Sequence, residues 1–145
     1  IRRGYDLPVF ETAVSELRRR GIDIIVHTIL CLPGETKSDM LQTIQYLNRQ
    51  DIQGIKLQLL HILKDTDLAE IYASDPFPVP DPQEYYELLG ACISHLRPDI
   101  VIHRLTGDGP KELLTAPLWT CNKRQVLNQL QSYFKTHDIW QGKEY

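Results

Sequence analysis

Three stretches bring together residue types that can do chemistry: His27, Cys31 and Glu35 in HTILCLPGET, His61 and Lys64 in HILK, and His103 and Arg104 in VIHRLTGDGPK. An imidazole can pass a proton or ligate a metal near neutral pH, and a guanidinium fork can hold an oxyanion. Pro33-Gly34 before a helix start can turn backbone N–H groups toward a polar ligand. Each feature also has an ordinary structural reading. Pro-Gly turns a chain whether or not a ligand is near, His27 in an apolar strand can be a satisfied core residue, Arg104 can pair with a carboxylate, and His61 can cap a strand end.

Other chemistries find little support. Cys31, Cys92 and Cys121 lie 61 and 29 residues apart, which is neither a Cys-x-x-Cys metal knuckle nor a dense disulfide framework. The run TGDGPK lacks the Gly-x-x-x-x-Gly-Lys spacing of a phosphate loop and leads into ELLTAPLW, not a long helix. No Gly-x-Ser-x-Gly elbow occurs. Trp119 and Trp140 suit core anchors as well as base-stacking platforms.

The elements that must position these residues follow from periodicity. Asp6 caps a helix with the apolar stripe Phe10, Ala13, Val14 and Leu17, closed by Arg18 to Arg20 and Gly21. Ile22 to Leu30 is nearly continuous in β-branched and apolar residues, as for a parallel strand covered on both faces. Thr36 and Asp39 form a capping box ahead of Met40, Ile44 and Leu47. A second strand, Ile55 to Leu60, alternates apolar residues with Lys56 and Gln58. HILKDTDLAEIY reads as a loop and a short helix, and DPFPVPDP as an irregular connector. Asp81 and Pro82 start a helix buried through Tyr85, Leu88, Leu89, Cys92 and Leu96. Asp99 to Leu105 is a third strand, a loop follows, and Lys123 to His137 form the last helix.

The order α-β-α-β-α-α-β-α implies parallel pairing through crossovers. Three strands make a thin sheet with unpaired edges, better read as part of a larger sheet or barrel. In such folds ligands bind at the carboxyl ends of strands, where His27, His61, His103, Lys64 and Arg104 are expected to gather.

Composition narrows the class. The 145 residues are 42% apolar and 24% charged, enough for one soluble globular domain. A net charge of -3 gives no basic field to attract a polyanion. No run approaches a membrane span of about 20 residues, so no membrane role is expected. The cysteine usage suits a reducing, cytoplasmic setting. The chain opens without Met and is expected to be an excised fragment.

Taken in order, Arg3-Gly4, HTILCLPGET, GIKLQLLHILKDTDLA, VIHRLTGDGPKELLTAPLW and the Asn-Lys before the last helix resemble the C-terminal half of a radical S-adenosylmethionine protein. The branch is the YhcC-like group, related to the elongator catalytic subunit and to oxygen-independent coproporphyrinogen oxidase. The resemblance implies an α/β fold: the C-terminal part of a partial, six-stranded, TIM-like (β/α) barrel with parallel strands, carrying a C-terminal βα extension. On this reading residues 1–74 supply the last barrel units and residues 75–145 the extension, packed as one unit.

Members bind a [4Fe–4S] cluster through a Cys-x-x-x-Cys-x-x-Cys loop. S-adenosylmethionine on that cluster yields a 5′-deoxyadenosyl radical that abstracts hydrogen. No such loop is present here, so the resemblance implies that the cluster ligands precede residue 1, that the N-terminal half of the same polypeptide is the partner, and that this chain alone is inactive. Arg3 matches an arginine that pairs with the methionyl carboxylate, His27 a position near the ribose, and Ile29 to Cys31 a segment packed on adenine. Relatives usually have Gly at the Cys31 position, and Asn and His where Arg2 and Tyr5 stand. His61, Lys64, His103 and Arg104 fall on the substrate side, with tRNA and a small molecule both open as substrate. The competing reading is a non-catalytic module that recognises RNA or a protein partner.

Overall fold

Five helices and five short strands are seen in the computed structural model, which describes residues 4–107 and 109–145. Asp6 caps α1 (Leu7–Arg19) by accepting the Val9 N–H at 3.4 Å. Only Val14 of this helix is fully buried, and Ala13 and Leu17 of the expected stripe stay exposed, so α1 sits at the margin of the core. Arg18 at its end donates to Asp51, Asp23 and the Ile22 carbonyl, each at 3.1 Å, and fixes the entry to the first strand.

That strand, β1 (Ile25–Leu30), begins three residues later than its apolar run suggests. It is followed by α2 (Lys37–Asn48), β2 (Gly54–Leu59), β3 (Ile62–Leu63), α3 (Asp67–Ser74), α4 (Pro82–His95), β4 (Val101–Arg104), β5 (Leu114–Ala116) and α5 (Lys123–Thr136). Strands β1, β2 and β4 form a parallel sheet in the order β1-β2-β4. The expected capping box at Thr36 with Asp39 is present, and the expected N-cap at Asp81 forms a second one with Glu84.

Helices α2, α4 and α5 converge on one face of this sheet. Met40, Ile44, Leu47, Tyr85, Leu89, Cys92, Val126 and Leu130 pack over Leu30, Ile55, Leu57 and Leu59 in a single cluster. The expectation that β1 is covered on both faces is therefore corrected. Val26, Thr28 and Leu30 look into the core, whereas Ile25, His27 and Ile29 face outward, and Ile25 and Ile29 are each 41% exposed. No layer covers that face among the described residues.

A second sheet escaped the sequence reading. Strands β3 and β5 pair antiparallel, Ile62 opposite Ala116 and Leu63 opposite Leu114, within segments read as loops. Strands this short carry no alternation to detect. Beyond β5 the Ala116–Pro117 peptide is cis, and Leu118–Cys121 form a single 3₁₀ turn. Trp119 is a core anchor: its ring centroid lies 5.8 Å from that of Tyr85 and 6.2 Å from that of Tyr86, and its indole N–H donates to the Pro80 carbonyl at 3.0 Å.

The opposite end of the sheet is locked by Asn48, Arg97 and Gln141. Arg97 donates to the carbonyls of Asn48 (2.7 Å), Gln50 (3.3 Å) and Ile52 (3.3 Å), at the end of α2 and in the loop that follows it. The Arg97 N–H donates to the Asn48 side chain at 2.9 Å. Gln141 donates to the carbonyls of Arg97 and Ile100 at 2.8 and 2.7 Å. These bonds hold the start of β4 against the end of α2 and so set the register in which β4 meets β2.

Candidate functional site

The parallel sheet brings two of the histidines singled out from sequence, His27 and His103, to its open face, with Lys56 between their strands. In register, His27 on β1 lies opposite Lys56 on β2, and Lys56 lies opposite Arg104 on β4. Between the pairs Ile55–Ile102 and Lys56–Arg104, β4 contains one residue more than β2, a bulge at His103. In an unbroken ladder His103 would stand opposite Lys56. With the bulge, the His103 ring lies over Gly54, where a Cβ would stand only 2.6 Å from Nε2, so this approach requires glycine at position 54. Arg104 follows with its backbone opposite Lys56, and it also borders a cavity lined by Ile93, Ile102, Leu127 and Phe134.

The groups in this row feel one another. Desolvation first, and then the charges of Lys56 and Arg104, lower the His27 imidazole below its ordinary range, which keeps it neutral at pH 7. Like charges at directly opposed positions destabilise a sheet. Strands β1, β2 and β4 contain no Asp or Glu of their own. Lys56 and Gln58 were recognised in the sequence as a polar face of β2, but their union with His27 and Arg104 depends on register, which no local pattern reveals.

At the carboxyl edge, HTILCLPGET resolves into strand, turn and helix. Leu32-Pro33-Gly34-Glu35 is closed by the Glu35 N–H donating to the Leu32 carbonyl at 2.9 Å, with Gly34 at φ 79°. The Glu35 carboxylate reaches back to accept the Leu32 N–H at 3.0 Å. Burial raises the Glu35 pKa, against the backbone hydrogen bonds that lower it. Glu35 is thus committed to the turn. Cys31 adopts φ 65°, the left-handed region that glycine enters without strain, and this is the position where the family resemblance places glycine. Its N–H faces the Met40 sulfur at 3.3 Å. Burial, followed by the charges of Glu35 and Glu84, pushes its thiol up to about 11, so it is protonated at neutral pH. Ile29, two steps before, presents an apolar surface at the rim of the open face.

The remaining residues singled out from sequence are divided. His27 is the third residue of β1, not its end, so it sits a layer below the rim. His61 lies between β2 and β3 with its ring against Gly107 and Gly109, which explains the glycines of TGDGPK as packing positions beside an imidazole. Lys64 follows β3 and is tied to the segment before β5: its backbone N–H donates to the Leu113 carbonyl and its Nζ to the Glu112 carbonyl, at 2.7 and 3.1 Å. Arg3 lies outside the described residues. No group of three or more His, Cys, Asp or Glu side chains that could hold a metal ion occurs among the described residues, so the residues present do not fit a cluster-ligating role. Likewise no described helix is long and apolar enough to cross a membrane.

Comparison with known proteins gives this geometry a context. Residues 52–136 match the family model of the Radical_SAM C-terminal domain. The uncharacterised protein YtqA of Bacillus subtilis (strain 168) is 34% identical over 143 residues, which are 99% of this chain and 44% of YtqA. Protein YhcC of Escherichia coli (strain K12) is 30% identical over 139 residues, 96% of this chain and 45% of YhcC. The chain thus spans under half the length of these curated relatives. Among solved structures, the archaeal Methanocaldococcus infernus Elp3 with an N-terminal deletion (1–46) matches with a TM-score of 0.79 over 96% of this chain and 33% of that one. At 14% identity this likeness speaks to the fold.

Proposed function

Because the chain belongs to the radical SAM C-terminal domain family, we propose that it forms the nucleoside and substrate side of a radical S-adenosylmethionine iron–sulfur enzyme. The family match over residues 52–136 is the observation that carries this reading. In that enzyme, S-adenosylmethionine at a [4Fe–4S] cluster supplies a radical able to abstract hydrogen. The cluster is ligated by the N-terminal half of the same polypeptide, and this chain alone is catalytically incomplete. Such a protein works in the cytoplasm, where thiols such as those of Cys31, Cys92 and Cys121 stay reduced.

The chain's own residues have defined parts in this reading. Ile29 and the backbone at Cys31 wall the adenosyl group: an exposed apolar side chain beside a backbone in the left-handed conformation offers a flat surface and an accessible peptide edge. Arg3 pairs with the methionyl carboxylate, and His27 stands toward the ribose. His103 and Arg104 line the substrate side, with His61 and Lys64 on either side of β3.

Anaerobic reconstitution tests the assignment. The full-length polypeptide is expected to take up a four-iron cluster and release 5′-deoxyadenosine from S-adenosylmethionine, and this chain alone to do neither. Replacing Ile29 with Asp should weaken that cleavage. A stoichiometric four-iron chromophore on this chain alone, or cleavage indifferent to Ile29→Asp, would overturn it.

A further inference from the structure

The peptide that joins Leu30 to Cys31 is tied at both of its polar atoms. The Leu30 carbonyl accepts the Leu60 N–H at 3.0 Å, just past the end of β2. The Cys31 N–H donates to the Met40 sulfur at 3.3 Å. Immediately after this tied plane the chain enters the left-handed region, with Cys31 at φ 65°. A residue that has a Cβ keeps that conformation only where its surroundings enforce it. The question is which group does the enforcing.

Met40 is itself fixed in place. The Thr36–Asp39 capping box sets the first turn of α2, and the Met40 N–H donates to the Thr36 carbonyl at 3.1 Å. Its side chain is 2% exposed and belongs to the same core cluster as Leu30 and Ile44. A thioether suits the position chemically. It accepts a hydrogen bond, has no donor of its own and carries no charge, so it satisfies the N–H without drawing water or an ion to an apolar wall. Leucine would fill nearly the same space and accept nothing. Glu35, whose carboxylate accepts the Leu32 N–H at 3.0 Å, is the second acceptor within reach of this pair of N–H groups.

We propose that Met40 is a positioning residue of the adenosyl site: by accepting the Cys31 N–H, its sulfur holds the left-handed backbone that walls the nucleoside together with Ile29. This rests on the nucleoside reading given above and deepens it by naming what orients the wall. Met40 lies in the core under β1, whereas Ile29 faces outward, so Met40 acts through Cys31 and not by contact with the ligand. Loss of the sulfur should therefore change how tightly the nucleoside is held and leave the chemical step alone.

The experiment compares Met40→Leu with the parent in the full-length polypeptide, each with and without Cys31→Gly. Leucine is close to methionine in volume, so the fold is expected to persist, and thermal melting of every variant checks it. Met40→Leu should raise the S-adenosylmethionine concentration for half-maximal 5′-deoxyadenosine release about fivefold, the scale of one modest hydrogen bond, with the loss falling on KM and not on kcat. Glycine enters the left-handed region without strain, so in the Cys31→Gly background the same substitution should cost less than about twofold. A role in core packing alone would give equal losses in both backgrounds. Hydrogen exchange at the Cys31 amide is the readout that needs no ligand, and Met40→Leu should speed it by a similar factor. Norleucine in place of methionine, a methylene for the sulfur at nearly unchanged shape, is the second variant and should speed the same amide equally. Equal losses in the two backgrounds, an unchanged half-saturation concentration, or unchanged exchange without the sulfur would each overturn the proposal, the last by giving the Cys31 N–H to Glu35. Failure of the full-length protein to cleave S-adenosylmethionine would count against the enzyme reading instead, and the exchange measurement is read independently of it.

Discussion

Replacing Tyr85 with Phe tests how the helix layer holds the strand that carries the site. Tyr85 is fully buried, its ring packs beside Trp119, and its hydroxyl donates at 2.8 Å to the Leu105 carbonyl, the residue after Arg104. Burial holds that hydroxyl far above the ordinary phenol range, so it stays a donor at every accessible pH. Phe preserves the ring contacts and removes only the donor. The cost is the lost bond plus a carbonyl left with a missing partner, about 2 kcal/mol. With an unfolding entropy near 2.1 cal/mol/K per residue, a unit of 145 residues should lose roughly 6 °C in Tm. Urea unfolding followed by circular dichroism should show a lower midpoint and an unchanged slope. Tyr86→Phe is the internal comparison: that hydroxyl donates to Gln129, an exposed side chain that can turn to water, and its loss should cost about 0.5 kcal/mol. Equal losses for the two variants, or a Tyr85→Phe loss below about 0.5 kcal/mol, would refute the anchoring role.

Thr28→Val should stabilise the protein by about 1 kcal/mol in the same assay, because the Thr28 hydroxyl is buried in the helix-facing side of β1 with no hydrogen-bond partner among the described residues; a destabilised variant would reveal a partner for it. The Cys31 thiol, raised from 9.0 to about 11, should alkylate at pH 8 about a hundredfold more slowly than an unperturbed thiol, as read by mass spectrometry of iodoacetamide time courses. Labelling at the ordinary rate would mean the site is open. Because the folded pKa of Glu35 lies above 4.5, its ionisation opposes folding: its contribution is most favourable below that pH and declines as pH rises through the raised value. Glu35→Gln, which still accepts the Leu32 N–H, should flatten the fall in unfolding midpoint over that window, and curves that remain parallel to the parent would contradict the assignment.

Much of the scaffold was legible because it rests on local signals. Asp6, Thr36 with Asp39, and Asp81 with Pro82 each place a side-chain acceptor where a helix needs one, and all three helices start there. The Pro33-Gly34 turn follows equally from backbone preference. What could not be read was non-local. Ile25 to Leu30 is apolar enough for a strand buried on both faces, yet composition does not say that α2, α4 and α5 all pack on one side. Lys56 joins His27 and Arg104 only through register, and that register is held by Arg97 and Gln141, residues whose sequence neighbourhoods look ordinary. His61 and Lys64 share a motif with β2 but diverge in space because the chain turns into the second sheet immediately afterward.

The bulge at His103 has a consequence for how this face can vary. Side chains alternate along a strand, so a substitution in β4 changes one group and leaves the others in place, whereas an insertion or deletion reverses which side every later residue serves. Here the parity has already been shifted by one residue at Ile102–Arg104. Deleting His103 would remove an imidazole and restore an even ladder while leaving Arg104 opposite Lys56. The chemistry of this face is therefore adjustable by length as well as by identity, and loss of one residue at this position removes the ring over Gly54 while the backbone of Arg104 keeps its place opposite Lys56.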